Sequence, residues 1–234
     1  MWFQSSLKFI INLFALLFIA GCTATNINDL ENDNENKIIE KKVEVIEYKR
    51  EEISEELVSQ VYNIIQTIYA GNIELINQKY INFDFGFYNL YKVDGIKIFT
   101  HQRIIYDVIE EDVEEISHLI ARVEKEAEPF DIKIEDSKFN CSPNDDAFYG
   151  WSKSGIFLSD KTNNYLTKIM EKSNKFESNR YTKEDFEKAK MIEKTSYKVI
   201  LTPDIVFYVT KIEGNWYLTV FDRITTDCSS WYLV

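Results

Sequence analysis

Two histidines and three cysteines are too few for the zinc sites proteins usually build. Such a site needs three or four ligands, mostly Cys and His, and His101 and His118 fall on separate predicted elements. His118 sits among acids on a predicted helix and reads as a solvated or half-buried side chain. No metal and no cofactor are expected. Glycine and proline are scarce, with 7 and 3 residues, while 15% of the chain is aromatic. That composition argues against a low-complexity chain and for a well-packed domain. Positive charge is outnumbered, 27 Lys+Arg against 39 Asp+Glu, a net charge of −12. So acidic a surface repels phosphate backbones, which excludes nucleic acid as a partner. It also argues against the chain lying flat on anionic lipid. A long apolar run is missing too: Phe9 to Ile19 is apolar for 11 residues, broken only by Asn12. At about 1.5 Å per residue this falls short of a hydrocarbon core about 30 Å thick. No string in the chain names a reaction.

What is present begins with that short run. Lys8 precedes it, Ala20 and Gly21 end it, and Cys22 follows. A weakly positive start, a short apolar stretch and small residues are the marks of a secretory signal. Ile19-Ala20-Gly21-Cys22 resembles the lipobox of bacterial lipoproteins, and the resemblance covers residues 1–22. It implies that the Cys22 sulfur receives a diacylglycerol and that the chain is cut before Cys22, removing residues 1–21 as a signal peptide. Two or more acyl chains hold a protein stably on a membrane. The resemblance therefore implies a membrane partner reached through the lipid anchor, and a place in the bacterial cell envelope. Thr23 stands where an Asp marks inner-membrane retention in Gram-negative lipoproteins. The outer membrane, facing the periplasm, is the location it favours.

Residues 22–50 are rich in Asn, Asp and Glu, and bury too little to offset ordering entropy. They read as a disordered tether to a globular domain at 51–234. In that domain Leu57, Val61, Ile64, Ile65 and Ile68 recur at helical spacing and predict a helix over 54–70, with Ser54 as N-cap. A short helix is expected at 73–80. Phe83, Phe85, Phe87 and Tyr91 alternate as if on one face, and Asp94-Gly95 signals a hairpin between strands 85–92 and 96–101. Ile109, Val113, Ile116, Ile120 and Val123 predict a helix over 107–126. Residues 140–161 read as irregular. Helices are expected at 165–172 and, behind a weak capping box at Thr182 and Asp185, up to about 194. Strands are expected at 196–202, 205–212 and 215–223. The last of these are apolar on both faces, so the sheet is covered on both or curls around helices.

This order is α+β: a curved antiparallel sheet packed with helices in one domain. In element order over 53–234 it resembles the NTF2-like fold, which implies a cone-shaped sheet wrapped around helices.

Candidate chemistry is thin. Gly150-Trp-Ser-Lys-Ser-Gly155 places Ser154 where a nucleophile elbow needs glycine, and neighbouring Ser and Lys point apart in extended chain. It reads as a turn beside a buried Trp151. Asn144, Asp145 and Asp146, with Asp131, Glu135 and Asp136, could gather oxygen ligands for calcium, but their spacing matches no EF-hand loop. Tyr88, Tyr91, Tyr149 and Trp151 are candidates to line a pocket, although strand aromatics commonly belong to core. Once lipidation takes Cys22, Cys141 and Cys228 remain as a pair, and an oxidising compartment favours their disulfide. The expected function is a non-enzymatic envelope domain that binds a small molecule or a partner protein. A hydrolase with carboxylates converging in a cone-shaped cavity, and a structural envelope protein, are the alternatives.

Overall fold

The computed structural model describes residues 47–106, 115–126, 128–142, 148–203 and 205–229. All of them belong to one compact unit, Ile46–Val234. The lipobox with Cys22, and most of the expected tether, lie outside the described residues.

Helix α1, Glu55–Tyr69, begins where the Ser54 hydroxyl accepts the Leu57 N–H at 3.2 Å, and its predicted apolar stripe is fully buried. Glu55 and Glu56 stand in its first turn, where the helix dipole favours negative charge. Helix α2, Ile73–Lys79, is capped by Asn72. Strands β1, Phe87–Val93, and β2, Ile96–Gln102, pair antiparallel through Asp94 and Gly95. Both turn residues have positive φ, 50° and 75°, as a tight two-residue hairpin with the right twist demands. Helix α3 spans Ile116–Arg122; the start of the longer helix expected there, 107–114, lies outside the described residues.

The segment expected to be irregular contributes strands. After β3, Ile132–Lys133, come the ribbon strands β4, Phe139–Asn140, and β5, Gly150–Trp151, and then β6, Ile156–Ser159. Strand β6 is buried along its whole length. Four residues are too few to show a period, so its strand character was invisible in the sequence. Helices α4, Tyr165–Phe176, and α5, Lys183–Thr195, follow, the second opened by a complete capping box between Thr182 and Asp185. The chain closes with the meander β7, Tyr197–Leu201, β8, Ile205–Ile212, and β9, Asn215–Asp222.

These strands build a seven-stranded open sheet in the order β2-β1-β9-β8-β7-β6-β3, with β4-β5 as a separate ribbon. The fold is α+β, as expected, but the sheet is mixed rather than purely antiparallel. β1 runs parallel to β9, and β3 parallel to β6. The reason is that β1 returns to the sheet beside the last strand of the chain, after long crossovers, and not beside its neighbour in sequence. Consequently β1, β9 and β7 all point the same way, and their carboxyl ends share one rim of the sheet.

Both faces of the sheet are covered. One core gathers Phe87, Leu158, Val199, Phe207 and Phe221 under α1, α2 and α3. The other gathers Leu90, Phe157, Ile200, Val206 and Val220 under α4 and α5. Each fully buried large apolar side chain contributes about 1.5–3 kcal/mol, which makes these two layers the main support of the fold. The expected single face of Phe83, Phe85, Phe87 and Tyr91 does not form. Gly86 turns left-handed at φ 71°, so Phe85 packs against the second core while Phe87 enters the first. Phe83 is exposed. Arg50, placed at the end of the expected tether, already docks on the domain: its guanidinium donates to the Thr162 hydroxyl at 3.0 Å and lies over the Tyr197 ring.

Candidate functional site

The rim where β1, β7 and β9 end carries an open groove of about 1020 Å³. Strand β1 delivers Tyr91 and Lys92 to it, the exit of β7 delivers Thr202 and Pro203, and the exit of β9 delivers Arg223, Thr226 and Asp227. Helix α3 supplies Leu119 and Arg122, and the chain after it adds Glu124, Lys125 and Glu126. The ribbon completes the lining with Phe139 and Trp151, followed by Ser154 and Gly155.

The groove is held by contacts from behind it. Asp222, the last residue of β9, is 1% exposed. Its Oδ1 accepts the backbone N–H groups of Ile224 and Thr225, both at 3.0 Å. Its Oδ2 accepts from the hydroxyls of Tyr208 and Thr225 and from the Asn163 amide. The carboxylate thus folds the exit of β9 into a turn, and the turn aims the next residues at the groove. Burial, then the charge of Asp222, pushes the Tyr208 phenol well above its ordinary range, so it stays a donor.

At the same rim the Arg223 guanidinium lies over the Tyr91 ring, 5.8 Å from its centre. Burial pulls the Arg223 pKa down, with the charge of Arg122 acting the same way, while Glu115, Tyr91 and Asp227 oppose both. Arg122 and Arg223 both line the groove, and each has interactions within the protein. The Lys92 side chain is 8% exposed and donates to the backbone carbonyl of Asp227. Across the groove the Trp151 indole N–H donates to the Pro203 carbonyl at 2.7 Å, and the Phe139 ring meets Trp151 edge-on.

Cys141 and Cys228 are bonded, with Cα atoms 5.3 Å apart. Cys141 directly follows β4 and Cys228 directly follows Asp227, so the disulfide ties the aromatic wall to the charged one. The pairing read from the sequence is the pairing in the structure.

The four aromatic pocket candidates part company. Tyr91 and Trp151 line the groove. Tyr88 is buried in the second core with its ring tilted against His101, and Tyr149 is exposed outside the lining. They separate because Tyr88 and Tyr91 sit three residues apart on a strand, and alternation sends them to opposite faces. The glycine-flanked turn enters only as lining: Ser154 and Gly155 face the groove, while Lys153 pairs with Glu135. Of the acids considered for calcium, Glu135 pairs with Lys153 and Asp136 with Lys198 at 2.7 Å, while Asn144, Asp145 and Asp146 lie outside the described residues. His118 is half-buried on α3. Glu193, a carboxyl pushed upward by burial, lies away from the groove, where it accepts from the Thr167 N–H and hydroxyl at the start of α4. Sequence reasoning missed Arg122, Arg223 and Lys92. Their only signal was position, at or just beyond the ends of elements that converge in space.

No helix among the described residues is long and apolar enough to cross a membrane. The chain matches no family model, no curated protein and no solved structure.

Proposed function

We propose that the protein is an exported, lipid-anchored domain of the bacterial cell envelope that binds a small molecule or a partner protein in this groove. One observation carries the binding reading: aromatic faces and charges of both signs converge at the rim where three strands end, between walls joined by a covalent bond. Pre-organised walls reduce the ordering cost of binding. Export is supported by the disulfide, which oxidising compartments favour, and by the lipobox resemblance at Ile19–Cys22. Thr23 supports the outer membrane over the inner.

Two measurements test this reading. A clickable fatty acid fed to cells should mark the wild-type protein and leave Cys22→Ser unmarked; equal labelling of both overturns the anchor. Thermal shift of the full chain against envelope metabolites and peptides should find a stabilising ligand, by mass action, whose effect is lost in Tyr91→Ala. The hydrolase reading rests on the three groove carboxylates, Glu124, Glu126 and Asp227. Turnover of a glycoside, ester or peptide that disappears in Glu126→Gln would replace binding with catalysis.

A further inference from the structure

We infer that the Cys141–Cys228 disulfide is a redox latch: its reduction by a dithiol frees the β4 side of the aromatic wall and leaves the two-layered fold in place. The latch is a property of the walls themselves. Only its use to control binding rests on the binding reading above.

The two ends of the bond are held unequally. On the charged wall, Asp222 fixes the turn that leaves β9, and Ile224 within that turn is buried in the second core. Lys92 then holds Asp227, donating to its backbone carbonyl and standing 4.0 Å from its carboxylate. Cys228 therefore follows a residue already tied to β1. The aromatic wall has no such backing at β4. Phe139 pairs with Trp151 and meets its ring edge-on, while Asn140 pairs with Gly150 and donates to the Phe148 carbonyl. These contacts stay within the ribbon and the segment beside it. Trp151 carries the link onward, to the Pro203 carbonyl and against the second core. So β5 is anchored to the body, and β4 only to β5 and, through the disulfide, to the charged wall. Neither Phe139 nor Asn140 contributes to either core.

Reduction thus acts where the two cores do not. The bond joins residues 87 apart, and in the chain-entropy model so long a crosslink stabilises by limiting the unfolded chain rather than by adding native contacts. Both half-cystines are partly exposed. A thiolate needs that access to attack a sulfur, and exposed disulfides are the labile ones. The exchange balances with the dithiol alone. Its thiolate attacks one sulfur, forms a mixed disulfide and releases the other sulfur as a thiolate. Its second thiol then attacks the mixed disulfide, and the reductant leaves with its own two sulfurs bonded. Two electrons and two protons pass to Cys141 and Cys228, which end as thiols.

The test reduces the full chain with dithiothreitol under native conditions. Alkylation and peptide mapping follow Cys141 and Cys228, and hydrogen exchange follows the backbone. We expect the reduction rate to rise in proportion to dithiothreitol and to be unchanged by sub-denaturing urea. Exchange at β4 should then speed up at least about tenfold, as local opening without global unfolding requires, while β7, β8 and β9 keep their protection. Reoxidation should restore the original rates. Cys141→Ser with Cys228→Ser should show the reduced pattern with no reductant present. Reduction that waits on unfolding, with a rate that climbs with urea and saturates in dithiothreitol, overturns the latch. So does loss of protection throughout β7, β8 and β9, or exchange at β4 that reduction leaves unchanged. Each of these results concerns the wall alone. The groove reading still stands or falls on a stabilising ligand and its loss in Tyr91→Ala.

Discussion

The Tyr208 hydroxyl donates to Asp222 Oδ2 at 3.0 Å in the interior of the sheet, and the Asn163 amide bonds to both groups. Every oxygen of this buried carboxylate has partners, so it behaves as a structural knot that sets the turn carrying Arg223 to Cys228. Asp222→Ala strands the phenol, the amide and two backbone N–H groups, and should cost at least about 3 kcal/mol. Tyr208→Phe removes two bonds, one to Asp222 and one from Asn163, but leaves the carboxylate its other partners, and should cost less, about 1–2 kcal/mol. Urea unfolding of both variants checks the order; equal, small losses contradict the knot.

Gly86 should tolerate no side chain. A Cβ there would lie 2.5 Å from the Gln102 carbonyl oxygen and 2.7 Å from His101 Nε2, at a φ of 71°. Strained backbone of this kind costs about 1–3 kcal/mol, and the backbone clash adds to it. Gly86→Ala should lose more stability than Gly71→Ala, where φ is similarly positive but nothing lies within 4 Å. Equal losses in thermal or urea unfolding would show that the close approach contributes nothing.

The disulfide should be worth more to the groove than to either wall alone. Its residues are 87 apart, and in the chain-entropy model so long a loop stabilises by roughly 4–5 kcal/mol, an upper figure. Cys141→Ser with Cys228→Ser should lower the urea midpoint, and should speed proteolysis of the segment around the β4-β5 ribbon first. Thiol titration of the denatured, unreduced wild type should find neither cysteine of this pair free.

Acid should weaken the fold through His101. Burial, foremost, pulls its pKa below 6.5; Lys188 and Arg103 act the same way, while the Phe85 carbonyl and Asp185 oppose them. The unfolded chain then binds more protons between the folded pKa and 6.5, so stability rises with pH across that window and is lost as pH falls through it. Lys188 faces the same imidazole at 3.5 Å, so protonation would bring two cations together. Unfolding midpoints measured from roughly pH 7.5 down to 5 should show a slope that shrinks in His101→Gln. An unchanged slope assigns the acid sensitivity to other groups.

Much of this fold was legible because its signals are local. Ser54, the Thr182–Asp185 box and Asp94-Gly95 each act over two to four residues, and the structure places a cap, a cap and a hairpin there. The doubly apolar strands β7, β8 and β9 likewise announced cover on both faces. Long-range choices were not legible. Nothing in Tyr88-Asn89-Leu90 says that it will lie parallel to Val220-Phe221-Asp222, a pairing made across most of the domain. The groove inherits that limit. Tyr91 and Trp151 stood out as aromatics, whereas Arg122 and Arg223 come to line one groove only through the fold. The cysteines are the exception, because exhaustion of partners, not geometry, singled out their pair.

The account turns on the groove being the binding site, and a blocking substitution tests it most directly. Thr226 lines the groove and is partly exposed, so Thr226→Trp fills space without removing core. Ser59→Trp, in a separate surface depression beside α1, serves as the control. For any ligand that stabilises the full chain, the account predicts that the thermal shift vanishes in Thr226→Trp and persists in Ser59→Trp. A shift that survives in Thr226→Trp contradicts it.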